Sequence, residues 1–382
     1  MSLTKKKLPS STLLSTLVLS VCILMFLEVL SSVAYYQKNH DAYLSRSSTV
    51  GAIQYLISKF DRTSPNPKLD RVLVLRKNGI KAYPSYLFEP QLHYPDGFYY
   101  LANAPNSHIV NCNEAGPFSE WKSDELGFRN PQGQLGTEVD FLFIGDSFTE
   151  GACEPEENTF AGVFRAKNQK VFNLGRGGSG PLFNLGTLVE YGTAVNAKTV
   201  IWIVFTGNDL RNLREEKTTK LSKYLNSDYR QGLLEKHLIV GRDLKLFLDN
   251  EVDMSKARVQ RGLPLPRNVG YGESLDILEA RSKERLLLME VATRIKMTVA
   301  SHGAKLAIVI LNHPLYNAEV QNLTSETIKQ FSEKNEIPYL EYSRSYLSKN
   351  VDSLYTPSIG HFSGAGYRAI GENIYERLFL DR

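Results

Sequence analysis

A serine and a distant histidine in this 382-residue chain are candidates for a nucleophile and its general base. Ser147 ends the tripeptide Gly145-Asp146-Ser147, directly after an apolar run at 139–144, and His361 lies close to the C-terminus. A serine hydroxyl becomes a nucleophile when a histidine takes its proton, and acyl transfer also needs donors for the oxyanion. Glycine, aspartate and serine are also ordinary turn residues. The tripeptide alone is therefore consistent with a nucleophile or with a plain strand-to-loop turn.

Two further polar blocks follow apolar runs of the same kind. The glycine-rich segment 175–180, which contains Gly178, comes after the run 170–174, and Asn208 comes after the run 199–205. Runs rich in branched and aromatic residues predict buried strands, and open α/β sheets bind ligands at the carboxyl ends of their strands. We therefore expect the serine, the glycine segment and the asparagine to meet at one edge of a sheet.

Strand and helix patterns alternate along the second part of the chain. Such alternation predicts a parallel sheet with helices on both faces. The expected fold is α/β, a flavodoxin-like three-layer α/β/α arrangement with a mainly parallel five-stranded sheet. The predicted strands are 139–144, 170–174, 199–205, 304–311 and 338–340, and the predicted helices are 158–165, 182–191, 275–301, 325–334 and 364–378.

Composition and cysteine spacing exclude several classes of protein. A hydrophobic content of 42% and a charged content of 23% are typical of a globular chain, and a scattered net charge of +4 gives no basis for a nucleic-acid partner. Neither the three cysteines nor the acids and histidines have ligand spacing, so we predict no metal and no cofactor. Cys112 and Cys153 are either a disulfide or two separate thiols.

The N-terminus carries a membrane signal. Lys5, Lys6 and Lys7 precede an almost wholly apolar run at 12–34, which is long enough to cross a bilayer. The positive-inside rule places these lysines in the cytoplasm and the body of the protein outside it, in the periplasm or on the outer face. The alternative is a signal peptide cleaved near Ala34, which would give a secreted protein.

Three regions follow from these patterns. Residues 1–36 form a cytoplasmic tail and transmembrane anchor, with the membrane as partner through residues 12–36. Residues 37–138, rich in proline and tyrosine, form an irregular strand- and loop-rich region that packs on the core. Residues 139–382 form the α/β domain. Its basic insertion 210–271 is either a mobile cap over the strand ends or a solvated helical pair.

The ordered blocks resemble those of the SGNH/GDSL hydrolase superfamily over roughly residues 139–382. The resemblance implies that Ser147 is the nucleophile and His361 the general base. It also implies an oxyanion hole formed by the N–H groups of Ser147 and Gly178 and the side chain of Asn208. The segments 145–151 and 126–130, preceded by an N-terminal apolar span, are similar to the corresponding segments of membrane-anchored bacterial members of this superfamily. Such a protein is an esterase or O-acyltransferase that acts on an acylated small molecule or a surface glycan.

One departure from the family pattern concerns the histidine. The family usually places an acid three residues before it, and this chain has Ser358 there. Asp352 is the nearest preceding acid. Either Asp352 orients the imidazole, or a hydroxyl such as that of Ser358 or a backbone carbonyl does so in a Ser–His dyad, or the protein is slow or inactive. We favour the dyad. An inactive protein would be a non-catalytic module that binds a glycan or a partner.

Two weaker features complete the prediction. Segment 175–180 also fits the G-x-G-x-x-G dinucleotide fingerprint, but positions 195–206 lack the acid that this fingerprint requires. Asn312 and His313 end the predicted fourth strand on the functional edge. Both are candidate substrate contacts, although a loop histidine with satisfied hydrogen bonds is the favoured interpretation of His313.

Overall fold

The computed structural model describes residues 67–85, 98–114, 118–260 and 283–380. No helix within these ranges is both long enough and apolar enough to span a bilayer. The predicted span at 12–34 and the predicted cleavage near Ala34 lie outside the described residues.

A small sheet and one helix form the first part of the described chain. Helix α1 (Pro67–Lys77) precedes strands β1 (Ala82–Pro84), β2 (His108–Val110) and β3 (Glu120–Lys122). Strand β2 pairs in parallel with β1 and antiparallel with β3. Most apolar side chains between residues 99 and 128 join the main core of the protein, and a smaller apolar cluster lies between α1 and these strands. This region therefore packs on the α/β domain.

The main sheet has five parallel strands. They are β4 (Glu138–Ile144), β5 (Val171–Asn173), β6 (Asn196–Phe205), β7 (Lys305–Leu311) and β8 (Tyr339–Tyr342), in the order β5-β4-β6-β7-β8. This is the flavodoxin-like order, in which the chain reverses direction across the sheet beside the first strand. The prediction of a parallel five-stranded sheet is confirmed.

Helices cover both faces of this sheet. Their bounds are α2 (Ser147–Glu150), α3 (Phe160–Ala166), α4 (Pro181–Tyr191), α5 (Asp209–Lys217), α6 (His237–Gln260), α7 (Arg285–Ser301), α8 (Ala318–Lys334), α9 (Arg344–Lys349), α10 (Val351–Leu354) and α11 (Gly364–Tyr375). Successive strand residues point to opposite faces. Leu142 therefore lies in the core beneath α4 and α7, while Phe141 and Phe143 lie in a second core beneath α3 and α11.

Several element boundaries differ from the predicted ones. Helix α8 begins at Ala318 instead of residue 325, because the Asn317 side chain caps it by accepting bonds from the N–H groups of Glu319 and Val320. The last helix ends at Tyr375 and continues as a π-helical turn to residue 380. Helix α7 begins at Arg285, and residues 275–282 of its predicted range lie outside the described residues.

Most of the insertion 210–271 is described. It contains α5, a 3₁₀ turn at Lys220–Leu225 and α6. Leu213, Leu221 and Tyr224 are fully buried in the main core, so this part is anchored to the domain. The carboxylate of Glu216 accepts bonds from three N–H groups at the start of α4, and burial raises its pKa to about 8 against the effect of those bonds. Residues 261–271 lie outside the description, and the mobile cap stays a prediction.

Candidate active site

A sharp turn between β4 and α2 presents the serine. Gly145 has φ of +153°, and a Cβ atom there would lie 2.1 Å from the Thr149 hydroxyl oxygen and 2.7 Å from the Ile203 carbonyl oxygen. Only glycine therefore fits the turn. Asp146 caps α2 by accepting a bond from the Phe148 N–H at 3.0 Å, and burial raises its pKa to about 6. Ser147 is the first residue of α2, and 8% of its surface is exposed.

The structure brings the predicted base to this serine. The Nε2 atom of His361 lies 2.9 Å from the Oγ atom of Ser147, across 214 residues of sequence. The histidine precedes α11 in a segment fixed by backbone bonds, among them one from the Thr356 N–H to the His361 carbonyl at 3.0 Å. The Phe148 ring lies 5.1 Å from the imidazole, centroid to centroid. Serine and histidine therefore face each other at hydrogen-bond distance.

The other ring nitrogen of the histidine meets a residue that the sequence analysis missed. The carboxylate of Glu114 lies 2.9 Å from Nδ1 through Oε1, and its Oε2 accepts bonds from the His361 N–H at 2.9 Å and the Thr356 hydroxyl at 3.0 Å. Glu114 follows β2, and 24% of its side chain is exposed. A carboxylate thus holds the imidazole from the side opposite the serine.

This contact corrects the predicted orienting group. The group at Nδ1 is Glu114, in place of the predicted candidates Ser358, a backbone carbonyl and Asp352, so the favoured Ser–His dyad without an acid is wrong. Ser358 bonds the Thr356 hydroxyl at 3.2 Å, and Asp352 is an exposed residue of α10. Gly360 leaves room for the new partner, because a Cβ atom at this position would lie 2.5 Å from both oxygens of the Glu114 carboxylate.

The electrostatics of this pair set its protonation. Burial works to raise the pKa of Glu114, but the charge and bonds of His361 and the bond from Thr356 lower it to about 2. Burial works to lower the pKa of His361, but Glu114 and the more distant Asp146 and Glu150 raise it above its ordinary value. Glu114 is therefore ionised at neutral pH and holds the proton on Nδ1. The lone pair of Nε2 is left to accept the serine proton.

The predicted oxyanion donors lie at the ends of neighbouring strands. The glycine segment after β5 is held against the serine turn, because the Gly145 carbonyl accepts bonds from the Arg176 N–H and the Ser179 hydroxyl, each at 3.1 Å. Within it Gly178 is exposed, with φ of +75°. Asn208 precedes α5 without capping it through its side chain. Strands β5, β4 and β6 thus bring Gly178, Ser147 and Asn208 to one edge.

Asn312 and His313 are internal. The Asn312 amide bonds Thr206, Ser325, Glu341 and the Tyr342 carbonyl, and its side chain is buried. This position corrects the interpretation of Asn312 as a substrate contact, since its amide is already engaged inside the protein. His313 is fully buried among aromatic rings, so its prediction as a substrate contact is also corrected, and burial lowers its pKa to about 3.

The first part of the chain also holds the turn that follows α2. The Arg129 guanidinium donates to the Gly151 carbonyl at 2.7 Å and to the Glu154 carbonyl at 2.8 Å. Cys112 and Cys153 form a disulfide, with their Cα atoms 4.9 Å apart. Of the two states that the sequence left open, the structure has the disulfide. The Cys153 sulfur lies 3.6 Å from Nδ1 of His361.

The structure of the site also tests whether it could bind a metal ion or a dinucleotide. Within the described ranges, the group of three candidate metal ligands is Cys112, Cys153 and His361, and its two sulfurs are already bonded to each other. A dinucleotide would place its pyrophosphate at the N-terminus of the helix after the glycine segment. In this protein the carboxylate of Glu216 already accepts the N–H groups of Gly180, Leu182 and Phe183 there.

Comparison with known proteins gives distant structural neighbours. No family model matches the chain, and no curated protein matches it. A G-D-S-L family protein from Desulfitobacterium hafniense, assigned as lipolytic, is 14% identical over 61% of this chain and 96% of its own, with a TM-score of 0.32. A Bacteroides fragilis protein described as an acylhydrolase is 13% identical over 64% of this chain and 88% of its own, with a TM-score of 0.35. A catalytic mutant of an acetylxylan esterase from Geobacillus stearothermophilus is 12% identical over 65% and 97%, with a TM-score of 0.33. At these identities and TM-scores the likeness carries no argument about chemistry.

Proposed function

We propose that this protein is a serine ester hydrolase or O-acyltransferase of the SGNH/GDSL type, working through an acyl-enzyme. One observation carries the proposal: Ser147, His361 and Glu114 form a continuous relay, with 2.9 Å between Oγ and Nε2 and 2.9 Å between Nδ1 and the carboxylate. A serine, an imidazole and a carboxylate in this order form a catalytic triad, here called the relay, for nucleophilic acyl transfer.

The proposed reaction assigns one role to each of these groups. The Ser147 oxygen attacks the acyl carbon of an ester while its proton passes to Nε2 of His361. Glu114 keeps the ring oriented and stabilises the imidazolium that forms. The oxyanion accepts bonds from the N–H groups of Ser147 and Gly178 and the amide of Asn208. The alcohol then leaves with the proton from Nε2, and the acyl group is held as an ester on Ser147.

The second half of the reaction decides between the two activities. Water or a second hydroxyl attacks the acyl-enzyme, Nε2 takes the proton of the attacking group, and the serine oxygen leaves and regains that proton. Water as acceptor gives a hydrolase, and a sugar hydroxyl gives a transferase. The same relay serves both, so the acceptor is set by what reaches the acyl-enzyme.

A reaction of the purified full-length chain with a fluorophosphonate probe tests the nucleophile. We expect covalent labelling of Ser147 and hydrolysis of p-nitrophenyl acetate, and we expect Ser147→Ala to abolish both, with a loss of about 10⁶ in kcat as in other relays of this kind. Ser227→Ala is the matched control, because Ser227 is an exposed serine that bonds only Asp228 among the described residues. Folded protein that does not react with the probe would contradict the proposal.

The proposed location is extracytoplasmic, with the chain anchored through residues 12–36 and an acylated glycan as substrate. The apolar run behind three lysines supports this location, and a disulfide is typical of oxidising compartments. An alkaline phosphatase fused to the C-terminus in a bacterial host should be active. An inactive phosphatase on an expressed fusion would argue against export.

The alternative of a non-catalytic binding module loses its main support. It was based on the missing acid at Ser358, and Glu114 supplies a carboxylate to the same histidine. The outcome that would revive it is glycan binding by a folded protein that shows no turnover and is unchanged by Ser147→Ala.

A further inference from the structure

The carboxylate of the relay stands on a loop between two strands of the small sheet. Residues 111–114 follow β2 and residues 118–119 precede β3. Backbone bonds join these two described segments, from the Asn111 N–H to the Ser119 carbonyl at 2.8 Å and from the Ser119 N–H to the Cys112 carbonyl at 2.7 Å. Glu114 follows Cys112 by two residues. Every hydrogen bond described for its carboxylate goes to the segment 356–361.

The disulfide joins this loop to the serine side of the site. Cys153 follows α2, which begins at Ser147, and Cys112 precedes Glu114. The bond between the two sulfurs therefore runs beside the relay, with the Cys153 sulfur 3.6 Å from Nδ1. The disulfide therefore links the chain close to the carboxylate, at Cys112, with the chain six residues after the nucleophile, at Cys153.

The backbone at Cys153 supports a positioning role. Its φ is +68°, in the left-handed region that side chains other than glycine rarely adopt. Such a conformation persists only when its surroundings hold it in place. The disulfide does so from one side, and the Arg129 and Ser119 side chains bond the Glu154 carbonyl from the other.

We propose that the Cys112–Cys153 disulfide positions Glu114 on His361, so that the oxidation state of this cysteine pair regulates the acyl-transfer rate. The proposal rests on the function proposed above. Cys112 and Cys153 are positioning residues, since they act on the reaction through Glu114.

The redox step is a thiol–disulfide exchange with a dithiol. The dithiol gives two electrons and two protons, the bond between the two sulfurs breaks to leave two thiols, and the dithiol closes to its own disulfide. Without the bond, the segment that carries Glu114 loses its covalent link to the turn after α2. The carboxylate then depends more on its contacts with 356–361, and the imidazole loses part of its orientation and of its charge partner. The rate should fall by roughly tenfold or more, with the loss of an orienting carboxylate, about 10⁴, as the upper limit.

A mutant cycle on the full-length chain tests this coupling. The variants are C112S/C153S, E114Q and the combined E114Q/C112S/C153S, each in a C22S background so that no other thiol is present. Rates of p-nitrophenyl acetate hydrolysis are expressed per Ser147 titrated to completion with fluorophosphonate, so that unfolded protein does not count. EDTA is present throughout, because free thiols beside His361 could bind zinc. We expect C112S/C153S to be slowed, and the combined variant to be as slow as E114Q and no slower.

The pH profile separates positioning from general destabilisation. The acidic groups that raise the pKa of His361 are Glu114, Asp146 and Glu150. If Glu114 moves away, the pKa of His361 falls. The pH at which kcat/KM reaches half its plateau should then fall in C112S/C153S, as we also expect in E114Q. A loss of rate with an unmoved midpoint would overturn the proposal. The proposal would be supported if the same downward shift appears when the C22S protein is treated with dithiothreitol and disappears when the protein is reoxidised.

Failure of this proposal is distinguishable from failure of the proposed function. If the oxidised, folded C22S protein does not react with fluorophosphonate, the acyl-transfer function itself is wrong. If it reacts and C112S/C153S hydrolyses the ester at the same rate per site, the function stands and the positioning role of the disulfide is wrong. Additive losses in the combined variant would likewise show that the disulfide does not act through Glu114.

Discussion

The α/β domain and the region ahead of it contribute to the site in different ways. The domain places Ser147, Gly178 and Asn208 at the ends of three adjacent parallel strands, so the topology of the sheet alone assembles them. The preceding region has short strands and loops, and it supplies Glu114 and Arg129 through side-chain contacts to the domain. In this site the regular α/β domain positions the candidate nucleophile, whereas the irregular region before it positions the carboxylate that orients the histidine.

Replacing the carboxylate tests the contribution of the irregular region most directly. Glu114→Gln keeps the shape but removes the charge beside Nδ1, and an amide can hold the imidazole in the wrong tautomer. We expect kcat to fall by about 10⁴ with the fold unchanged. Asp352→Asn and Ser358→Ala, measured in parallel, decide among the orienting groups. A large loss in either of these, with an active Glu114→Gln protein, would return the orienting role to the domain.

A methyl group at position 360 should weaken the junction between the two regions. In Gly360→Ala the added Cβ would lie 2.5 Å from both Glu114 oxygens, so the carboxylate must move away from the histidine. A displacement of about 1 Å at a catalytic group can cost about 10² in rate. The double variant Gly360→Ala/Glu114→Gln should be as slow as Glu114→Gln. A further loss in the double variant would show that the methyl group acts elsewhere.

The pH dependence of the reaction should report the contact between the regions. His361 can accept the serine proton only when Nε2 is unprotonated. The value of kcat/KM should therefore be low at pH values below the pKa of His361 and rise to a plateau above it. Because Glu114 raises that pKa, the midpoint should lie above the ordinary value of 6.5. In Glu114→Gln it should move to lower pH. A midpoint that is the same in both proteins would mean that Glu114 does not contact the histidine in solution.

The smallest effect is expected for a change inside the domain. Ile308 is fully buried at the centre of β7. Ile308→Val removes one methylene group and should lower the free energy of unfolding by about 1 kcal/mol, measured by urea denaturation. The rate per titrated Ser147 should be unchanged, since the strand ends still align. A marked change in that rate would show that the relay is sensitive to the core beneath it.

The sequence predicts the domain well for a physical reason. Its strands are continuous apolar runs buried on both faces, and its helices follow them at short range, so local pattern and final fold agree. Ser147, Gly178 and Asn208 stand next to such runs, and the alternation of elements is enough to bring them to one edge. The predicted start of α8 at residue 325 is wrong, because the Asn317 cap begins the helix at Ala318, before the apolar pattern becomes regular.

Glu114 could not be found in this way. It stands in a loop without periodicity, and its partner lies 247 residues further on. No local pattern encodes a contact of that length. One signal was present: the histidine lacked its usual acid, and Gly360 beside it left space that a side chain from elsewhere could fill. The disulfide was equally open, because two cysteines without a diagnostic spacing do not reveal whether the fold brings them together.

The length of the contact between Glu114 and His361 has a consequence for biosynthesis. The carboxylate precedes its histidine by 247 residues, so the whole segment between them must be synthesised before the two groups can meet. Closing so long a loop is entropically costly until the intervening domain has folded. The contact between Glu114 and His361 is therefore a late product of folding, formed only after the segment between the two residues has been synthesised and has folded.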